Sequence, residues 1–191
     1  MKILPPSFYR RDPLTVAPDL LGKYLVRRLK NGVTVSGILS EVEAYLGEDD
    51  PAAHSFRGKT PRNQSTYKNG GHAYIHTMRH HVLMDVVTGN SNEPGSILLR
   101  AVFPKEGIEE MQRVRSRDTV LDLANGPGKL CQAFQISKDF DGEDLTTSTR
   151  IWLEDRKLVI KPSEIFRTPR IGIGKGTDSL YRFIINDTSS L

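Results

Sequence analysis

One short segment of the chain alternates between apolar and ionisable side chains, as a β-strand does when only one of its faces packs on a core. One predicted face carries Ile38, Ser40, Val42, Ala44 and Leu46, and the other carries Leu39, Glu41, Glu43 and Tyr45. Side chains two residues apart share a face, so the two glutamates lie roughly 6.7 Å apart along this strand. His54 follows Tyr45 closely. Two interpretations of the polar face stay open: a solvated surface, or a pocket in which carboxylate, phenol and imidazole act together.

Turn and capping signals around this strand predict a chain of mixed helices and strands. Asp12-Pro13 is typical of a helix start and Gly22 of a helix end, and Asn31-Gly32 is typical of a tight turn between paired strands. The strand that carries the glutamates therefore belongs to a sheet. The other predicted elements are a strand at 23–29, a loop at 47–71, a hairpin at 71–87, a strand at 95–102, helices at 104–117 and 125–134, and strands at 151–153, 158–161 and 180–185.

The composition excludes several classes of protein. Cys131 is the single cysteine, so neither an intrachain disulfide nor a CxxC pair can form, which favours a reducing cytoplasm. No apolar run reaches the length of a membrane span, and the first residues lack a secretion signal, so we expect no membrane association. With 191 residues, we expect a single domain over 1–191. The formal charge of +4 favours a polyanionic partner.

Two further features indicate contacts with anions. Arg100 interrupts an otherwise apolar strand, and such an arginine needs an anionic partner or a route to water. Gly126-Pro127-Gly128-Lys129 precedes a predicted helix, where backbone amides and a lysine can hold a phosphate. The complete GxxxxGK[ST] pattern is missing, which disfavours nucleotide hydrolysis. A nucleic-acid phosphate contact and an ordinary glycine-rich helix start remain as alternatives.

A cluster of histidines raises a metal-site hypothesis. His72, His76, His80 and His81 lie within ten residues, and the first three would share one face of a helix. The flanking glycines and the apolar residues that follow favour paired strands instead. Without an HExxH motif or a cysteine partner, we predict a polar rim, and metal-dependent hydrolysis is kept as an alternative.

Five strings occur in order along the chain: VAPDLLGK at 16–23, EVEAYLGEDDPAAHSFRGKTPRN at 41–63, GSILLRAVFPKEG at 95–107, NGPGKLCQAF at 125–134 and PRIGIG at 169–174. Together they resemble the alkyladenine (3-methyladenine) DNA glycosylase family, in the same order and at similar spacing. The resemblance extends over about residues 14–185. Five strings in register make coincidence improbable.

The resemblance implies an α+β fold: a single mixed domain around a curved antiparallel sheet, similar to the C-terminal domain of formyltransferases, with a protruding DNA-binding hairpin. It implies a monomer that binds double-stranded DNA with damaged purines, in the cytoplasm or at a nucleoid. The family uses neither a metal nor a redox cofactor. It flips bases of the 3-methyladenine, 7-methylguanine and hypoxanthine type and hydrolyses the glycosidic bond without strand cleavage. The abasic site then enters base excision repair.

The resemblance also implies roles for individual residues. Glu43 matches the general base, and Arg100 matches the arginine that helps to hold the attacking water. Tyr45 and His54 match residues that contact the flipped base, and Lys129 matches a phosphate contact. Glu41 has no comparable role.

Two departures from the family pattern affect the expected specificity. Asp85 replaces the usual asparagine at a pocket position, which puts discrimination among adenine, hypoxanthine and guanine lesions in doubt because a carboxylate cannot donate as an amide does. The hairpin offers Tyr74, His76 and Arg79 where the family usually has aromatic residues. We expect His76 to stack on a base and Tyr74 and Arg79 to contact DNA. A catalytically weak damaged-DNA-binding protein is the alternative function.

Overall fold

The computed structural model describes residues 2–186, which form four α-helices and a nine-stranded sheet. The helices are α1 (Pro6–Tyr9), α2 (Pro13–Leu20), α3 (Ile108–Arg115) and α4 (Pro127–Ala133). The strands are β1 (Lys2–Ile3), β2 (Tyr24–Arg28), β3 (Thr34–Tyr45), β4 (Ala73–Met78), β5 (His81–Thr88), β6 (Gly95–Glu106), β7 (Ile151–Asp155), β8 (Ile165–Thr168) and β9 (Arg182–Ile185). None of these helices combines the length and apolar character needed to cross a membrane.

The long strand β3 lies in the middle of the sheet, whose order is β1-β7-β2-β3-β6-β5-β4. One edge of β3 pairs with β6, while its other edge pairs first with β2 and then with β9, which also pairs with β8. Every strand pair is antiparallel. The predicted α+β class and antiparallel sheet are therefore confirmed.

The helices α2, α3 and α4 pack on the sheet, so one face of β3 is buried in the core. The Asp12 side chain accepts from Leu14 N and caps α2, as the Asp-Pro signal predicts. The alternation predicted for β3 is wrong at one point, because Leu39 joins the core together with Val42 and Ala44. The pairing of β3 with β6 is irregular between these positions, and such a β-bulge changes which face the following residues occupy.

Two other predicted elements differ from the structure, and the predicted loop is partly ordered. The helix predicted at 104–117 begins only at Ile108, because β6 continues through Pro104, which pairs with Gly37 of β3. A Cβ on Gly37 would lie 2.9 Å from the Phe103 carbonyl oxygen, so glycine permits this close pairing. Residues 158–161 are not a strand, and β8 pairs with β9 instead. The predicted loop at 47–71 contains two short 3₁₀ turns, at Gly47–Asp49 and Gln64–Tyr67.

Candidate active site

Glu43 lies on the polar face of β3, and its side chain is completely buried. Arg100 Nη1 lies 3.2 Å from Glu43 Oε1, and the Ile171 backbone N–H donates to the same oxygen at 2.8 Å. The Tyr45 hydroxyl donates to Oε2 at 3.0 Å. Burial raises the pKa of Glu43, and these three partners reduce the rise without cancelling it. Glu43 therefore takes up a proton more readily than an ordinary glutamate, while hydrogen bonds stabilise its anionic form. A carboxylate with both properties is suited to general base catalysis.

A second carboxylate holds Arg100 at this position. Arg100 Nε donates to Glu41 Oε1 at 2.6 Å, and Arg182 Nε, on β9, donates to the same oxygen at 2.7 Å. Because the pairing of β3 and β6 is irregular on both sides of Glu41, Ser40 and Arg100 fall between paired positions. Of the two possibilities predicted for Arg100, an anionic partner or a route to water, the structure shows the first, because both Glu41 and Glu43 contact its guanidinium.

A cavity of about 240 Å³ lies next to Glu43. It is smaller than the ~300–1,000 Å³ typical of pockets for drug-sized ligands, so it suits a group of one or two rings. Its lining includes Tyr45, His54, Tyr74, Met78, His76, Asp85, Ser96, Leu98 and Gly172–Lys175. Glu43 is not part of the lining that the structure describes, and Tyr45 connects the two, because its side chain lines the cavity while its hydroxyl donates to Glu43.

Three rings form one wall of the cavity. The His76 ring stacks on Tyr74 with centroids 5.0 Å apart and planes 23° apart, and it meets the His54 ring edge-on at 4.6 Å. His54 Nδ1 lies 2.9 Å from the Tyr74 hydroxyl oxygen. Contact with this wall desolvates the His54 ring and lowers its pKa, with His76 acting in the same direction, although His54 as a whole is exposed. The prediction that Tyr74 contacts DNA from the hairpin surface needs correction, because Tyr74 is only 1% exposed and belongs to this wall.

Asp85 completes the cavity lining with a carboxylate whose two oxygens each have a hydrogen-bond partner. His76 Nε2 lies 3.0 Å from Asp85 Oδ1, and the Ser96 hydroxyl donates to Oδ2 at 2.7 Å. All three residues are buried. The structure thus brings the predicted pocket residues Tyr45, His54, His76 and Asp85 together around one cavity.

Residues 169–174, which we call the strap, cover Glu43 and are held by contacts that no sequence pattern predicts. Arg170 forms two bonds to the Asp50 carboxylate, at 2.5 and 2.8 Å, and its Nη1 also donates to the Ala44 carbonyl at 2.9 Å. Its guanidinium carbon lies 4.6 Å from the Tyr45 ring centroid. Burial opposes ionisation of Asp50, but bonds from Arg170 and backbone amides outweigh it and lower the pKa of Asp50. The string PRIGIG includes Arg170, but it does not predict that Asp50 is the partner of this arginine.

The predicted DNA-contacting residues Arg79 and Lys129 are both exposed. Arg79 and His80 form the two-residue turn of the β4–β5 hairpin, with φ of +46° and +70°. Lys129 Nζ donates to the Asn125 side chain at 2.7 Å. A Cβ on Gly128 would lie 3.0 Å from His81 Cβ, so the start of α4 packs against the hairpin and puts Lys129 close to it.

The histidines do not converge on a common point. Within residues 2–186, no three histidine, cysteine, aspartate or glutamate side chains come close enough to hold one metal ion. His72 Nδ1 lies 2.8 Å from the Asn69 carbonyl oxygen, His76 pairs with Asp85, and His80 and His81 are exposed at the hairpin turn. The histidine cluster therefore does not form a ligand set in this structure.

Comparison with known proteins relates the whole chain to one family. The family model described as methylpurine-DNA glycosylase (MPG) matches residues 7–189. A relative from Prosthecochloris aestuarii is 43% identical over 95% of this chain and 86% of the relative. A relative from Methanoculleus marisnigri is 42% identical over 95% and 94%, and one from Clostridium perfringens is 39% identical over the same shares. Each carries the provisional name 3-methyladenine DNA glycosylase.

Proposed function

The chain belongs to the methylpurine-DNA glycosylase family, and we propose that it hydrolyses the N-glycosidic bond of alkylated or deaminated purines flipped out of duplex DNA, with Glu43 as the general base. The observation that carries this proposal is the environment of Glu43. Its carboxylate is buried, bonded to Arg100 and to Tyr45, and Tyr45 lines a cavity of base-like size. A buried carboxylate without such partners would be neutral and could not accept a proton.

The chemical step requires one proton transfer to Glu43. A water oxygen forms a bond to C1′ of the deoxyribose, the C1′–N bond breaks with its electron pair going to the base, and Glu43 accepts a proton from the water. An alkylated cationic base becomes neutral as it leaves, so it needs no acid, whereas neutral hypoxanthine leaves as an anion and takes a proton from solvent. The Glu43 anion also stabilises the positive charge that develops on the sugar.

Arg100 supports this step by keeping Glu43 in its anionic form. Its Nη1 is 3.2 Å from the carboxylate, while Glu41 accepts from its Nε and fixes the guanidinium. Because Glu43 is completely covered, we expect the strap or the Tyr45 ring to shift when a nucleotide enters. That movement would bring C1′ within reach of the carboxylate.

The rings of the cavity are suited to hold a flipped base. We propose that Tyr45 and His54 contact the base, and that His76, Tyr74 and Asp85 complete the lining around it. Aromatic and imidazole rings stack on any purine, and polar atoms between them select among purines. The cavity is large enough for one nucleobase and too small for a longer segment of DNA.

The hairpin and α4 supply the expected DNA surface. Arg79 at the exposed turn is proposed to enter the minor groove, and Lys129 beside it to contact a backbone phosphate. These contacts position the duplex, and the cavity accepts the displaced base. Binding as a monomer would suffice because one chain carries both the surface and the cavity.

We expect hydrolysis without strand cleavage, since the proposed nucleophile is water. Strand cleavage would require an amine that forms a Schiff base with the abasic product. Lys175 is the lysine of the described cavity lining, so it is the amine to test. Borohydride added during turnover should trap no covalent complex. Trapping that disappears in Lys175→Ala would contradict a purely hydrolytic mechanism.

The central test is base release from a duplex oligonucleotide that carries one hypoxanthine or one 7-methylguanine. Wild type should produce an abasic site, and Glu43→Gln should reduce the single-turnover rate by about 100-fold or more, as loss of a general base does. Glu109→Gln, on the exposed surface of α3, is the matched control and should leave the rate unchanged. Lesion-dependent binding by wild type with no abasic product would favour the damaged-DNA-binding alternative.

A further inference from the structure

Three buried polar side chains, from three neighbouring strands, form one hydrogen-bonded chain in the cavity lining. Ser96 of β6 donates to Asp85 Oδ2 at 2.7 Å, and His76 Nε2 of β4 lies 3.0 Å from Asp85 Oδ1. The exposed fractions of His76, Asp85 and Ser96 are 7%, 4% and 6%. Buried polar groups arranged in this way restrict what a cavity can bind.

With Asp85 ionised and the His76 ring neutral, the bonds of this chain fix the position of the protons. An ionised carboxylate only accepts hydrogen bonds, so with Ser96 donating to one oxygen of Asp85, His76 Nε2 must carry the proton shared with the other. In the neutral ring, Nδ1 then has a lone pair and acts as an acceptor. His76 Nδ1 is buried and finds no hydrogen-bond partner within the described part of the chain. The nearby His54 Nδ1 is already paired with the Tyr74 hydroxyl.

Two hydroxyl groups of the lining already donate to carboxylates. The Tyr45 hydroxyl donates to Glu43, and the Ser96 hydroxyl donates to Asp85. The charge of Asp85 acts across the cavity as well: after burial, it is among the causes that raise the pKa of Tyr45 and of Tyr74. The buried part of the described lining therefore offers acceptors and the negative charge of Asp85, while Lys175, the other charged residue of that lining, is exposed.

We propose that the His76–Asp85 pair is the specificity determinant of this cavity and selects purines that carry a positive charge and an exocyclic amino group over neutral hypoxanthine. This inference rests on the proposed function. The Asp85 charge attracts a cationic alkylated base, and His76 Nδ1 accepts from an amino group. Hypoxanthine has neither the positive charge nor the amino group, and a site built to accept from a donor rejects a ligand that lacks it.

The kinetic step at which Asp85 acts follows from the same charge. A cationic base loses its charge as the glycosidic bond breaks, so its attraction to Asp85 is greatest before the reaction. Such an interaction strengthens binding of the damaged base more than it accelerates bond cleavage. Removing the charge should consequently change the dissociation constant more than the single-turnover rate.

The experiment compares three bases that share O6 and N1–H, each placed once in the same duplex. These bases are 7-methylguanine with an amino group and a charge, guanine opposite thymine with the amino group alone, and hypoxanthine with neither. For wild type and Asp85→Asn, the single-turnover rate and the dissociation constant are measured, the latter in a Glu43→Gln background. Asparagine keeps the size of the side chain, and thermal unfolding verifies that each variant is folded.

The expected result is a selective change. Asp85→Asn should lower the preference for 7-methylguanine over hypoxanthine by about 10-fold or more, mainly through the dissociation constant. His76→Gln should lower the same preference. Because the two residues act as a pair, the fold-change in the double variant should be smaller than the product of the two single fold-changes. An equal effect on all three bases, or an unchanged preference, would overturn the inference.

The same data separate this inference from the proposed function. If wild type releases none of the three bases, the proposed glycosylase activity fails. If wild type releases 7-methylguanine and hypoxanthine while Asp85→Asn retains the wild-type preference, the glycosylase proposal stands and only the role of the pair is rejected.

Discussion

The Ile171 backbone N–H donates to Glu43 Oε1 at 2.8 Å, although the two residues are 128 positions apart in the sequence. The residue before it, Arg170, is bonded to Asp50 and lies over the Tyr45 ring. The proposed base and the segment that covers it are therefore parts of one hydrogen-bonded unit. Changes in the strap should alter both stability and the ionisation of Glu43.

The rate of base release should depend on the ionisation of Glu43. Burial raises the pKa of Glu43, so its carboxylate becomes protonated at a higher pH than that of an ordinary glutamate. When the pH is lowered, the anionic fraction of Glu43 and the rate of base release should fall together. Arg100 is the largest opposing cause, so Arg100→Gln should move this acidic limb to still higher pH and lower the maximum. Single-turnover rates across pH measure this, with Arg113→Gln on exposed α3 as the control. An acidic limb that stays in place in Arg100→Gln would show that Glu43 does not set it.

Asp50→Asn should destabilise the protein through the buried pair with Arg170. The side chains of Arg170 and Asp50 are 0% and 3% exposed, and breaking such a pair costs roughly 3–5 kcal/mol of unfolding free energy. The pKa of Asp50 is lowered, so its contribution is present above the unfolded-state pKa and is lost as the pH falls through the folded-state value. Urea unfolding should show wild type and variant converging at acidic pH.

The control for this prediction is an exposed pair of the same type. Arg11 and Asp19 lie 2.8 Å apart with side chains 34% and 50% exposed, so Asp19→Asn should cost only ~0–1 kcal/mol. Equal losses for Asp50→Asn and Asp19→Asn would mean that the Arg170–Asp50 pair does not stabilise the strap.

The hairpin turn should become more stable when its backbone strain is removed. Arg79 and His80 both have positive φ, which costs roughly 1–2 kcal/mol for each residue with a Cβ. The double substitution Arg79→Asn and His80→Gly creates the favoured sequence for such a turn and should raise the melting temperature. If Arg79 contacts DNA, the same variant should release bases more slowly. A lower melting temperature would contradict the strain argument.

The sequence predicted those parts of the site that depend on local patterns. The polar face of β3 and the need of Arg100 for an anion follow from side-chain alternation and from the cost of burying charge, and Glu41 and Glu43 are the observed partners. The change of face at Ser40 could not be predicted, because a bulge depends on the register with β6.

Local sequence patterns also do not predict contacts between distant segments. Arg170 and Asp50 are 120 positions apart, and neither has a periodic or capping signal that names the other. The cavity role of Tyr74 depends on the inward direction of its side chain, which the hairpin pattern alone left open. Long-range burial, rather than local propensity, decided these positions.

Lys129→Ala should weaken binding to damaged and undamaged duplexes by the same factor. The Lys129 side chain is exposed beside the hairpin, so its proposed partner is a phosphate, which carries no information about the base. The variant should also reduce the slope of log K against log salt by about 1, as loss of one phosphate contact does. Lys2→Ala is the matched control, because β1 and β4 lie at opposite ends of the sheet order and Lys2 is also exposed. Fluorescence anisotropy at several salt concentrations measures both quantities. A loss confined to one lesion would place Lys129 at the damaged base rather than at the DNA backbone.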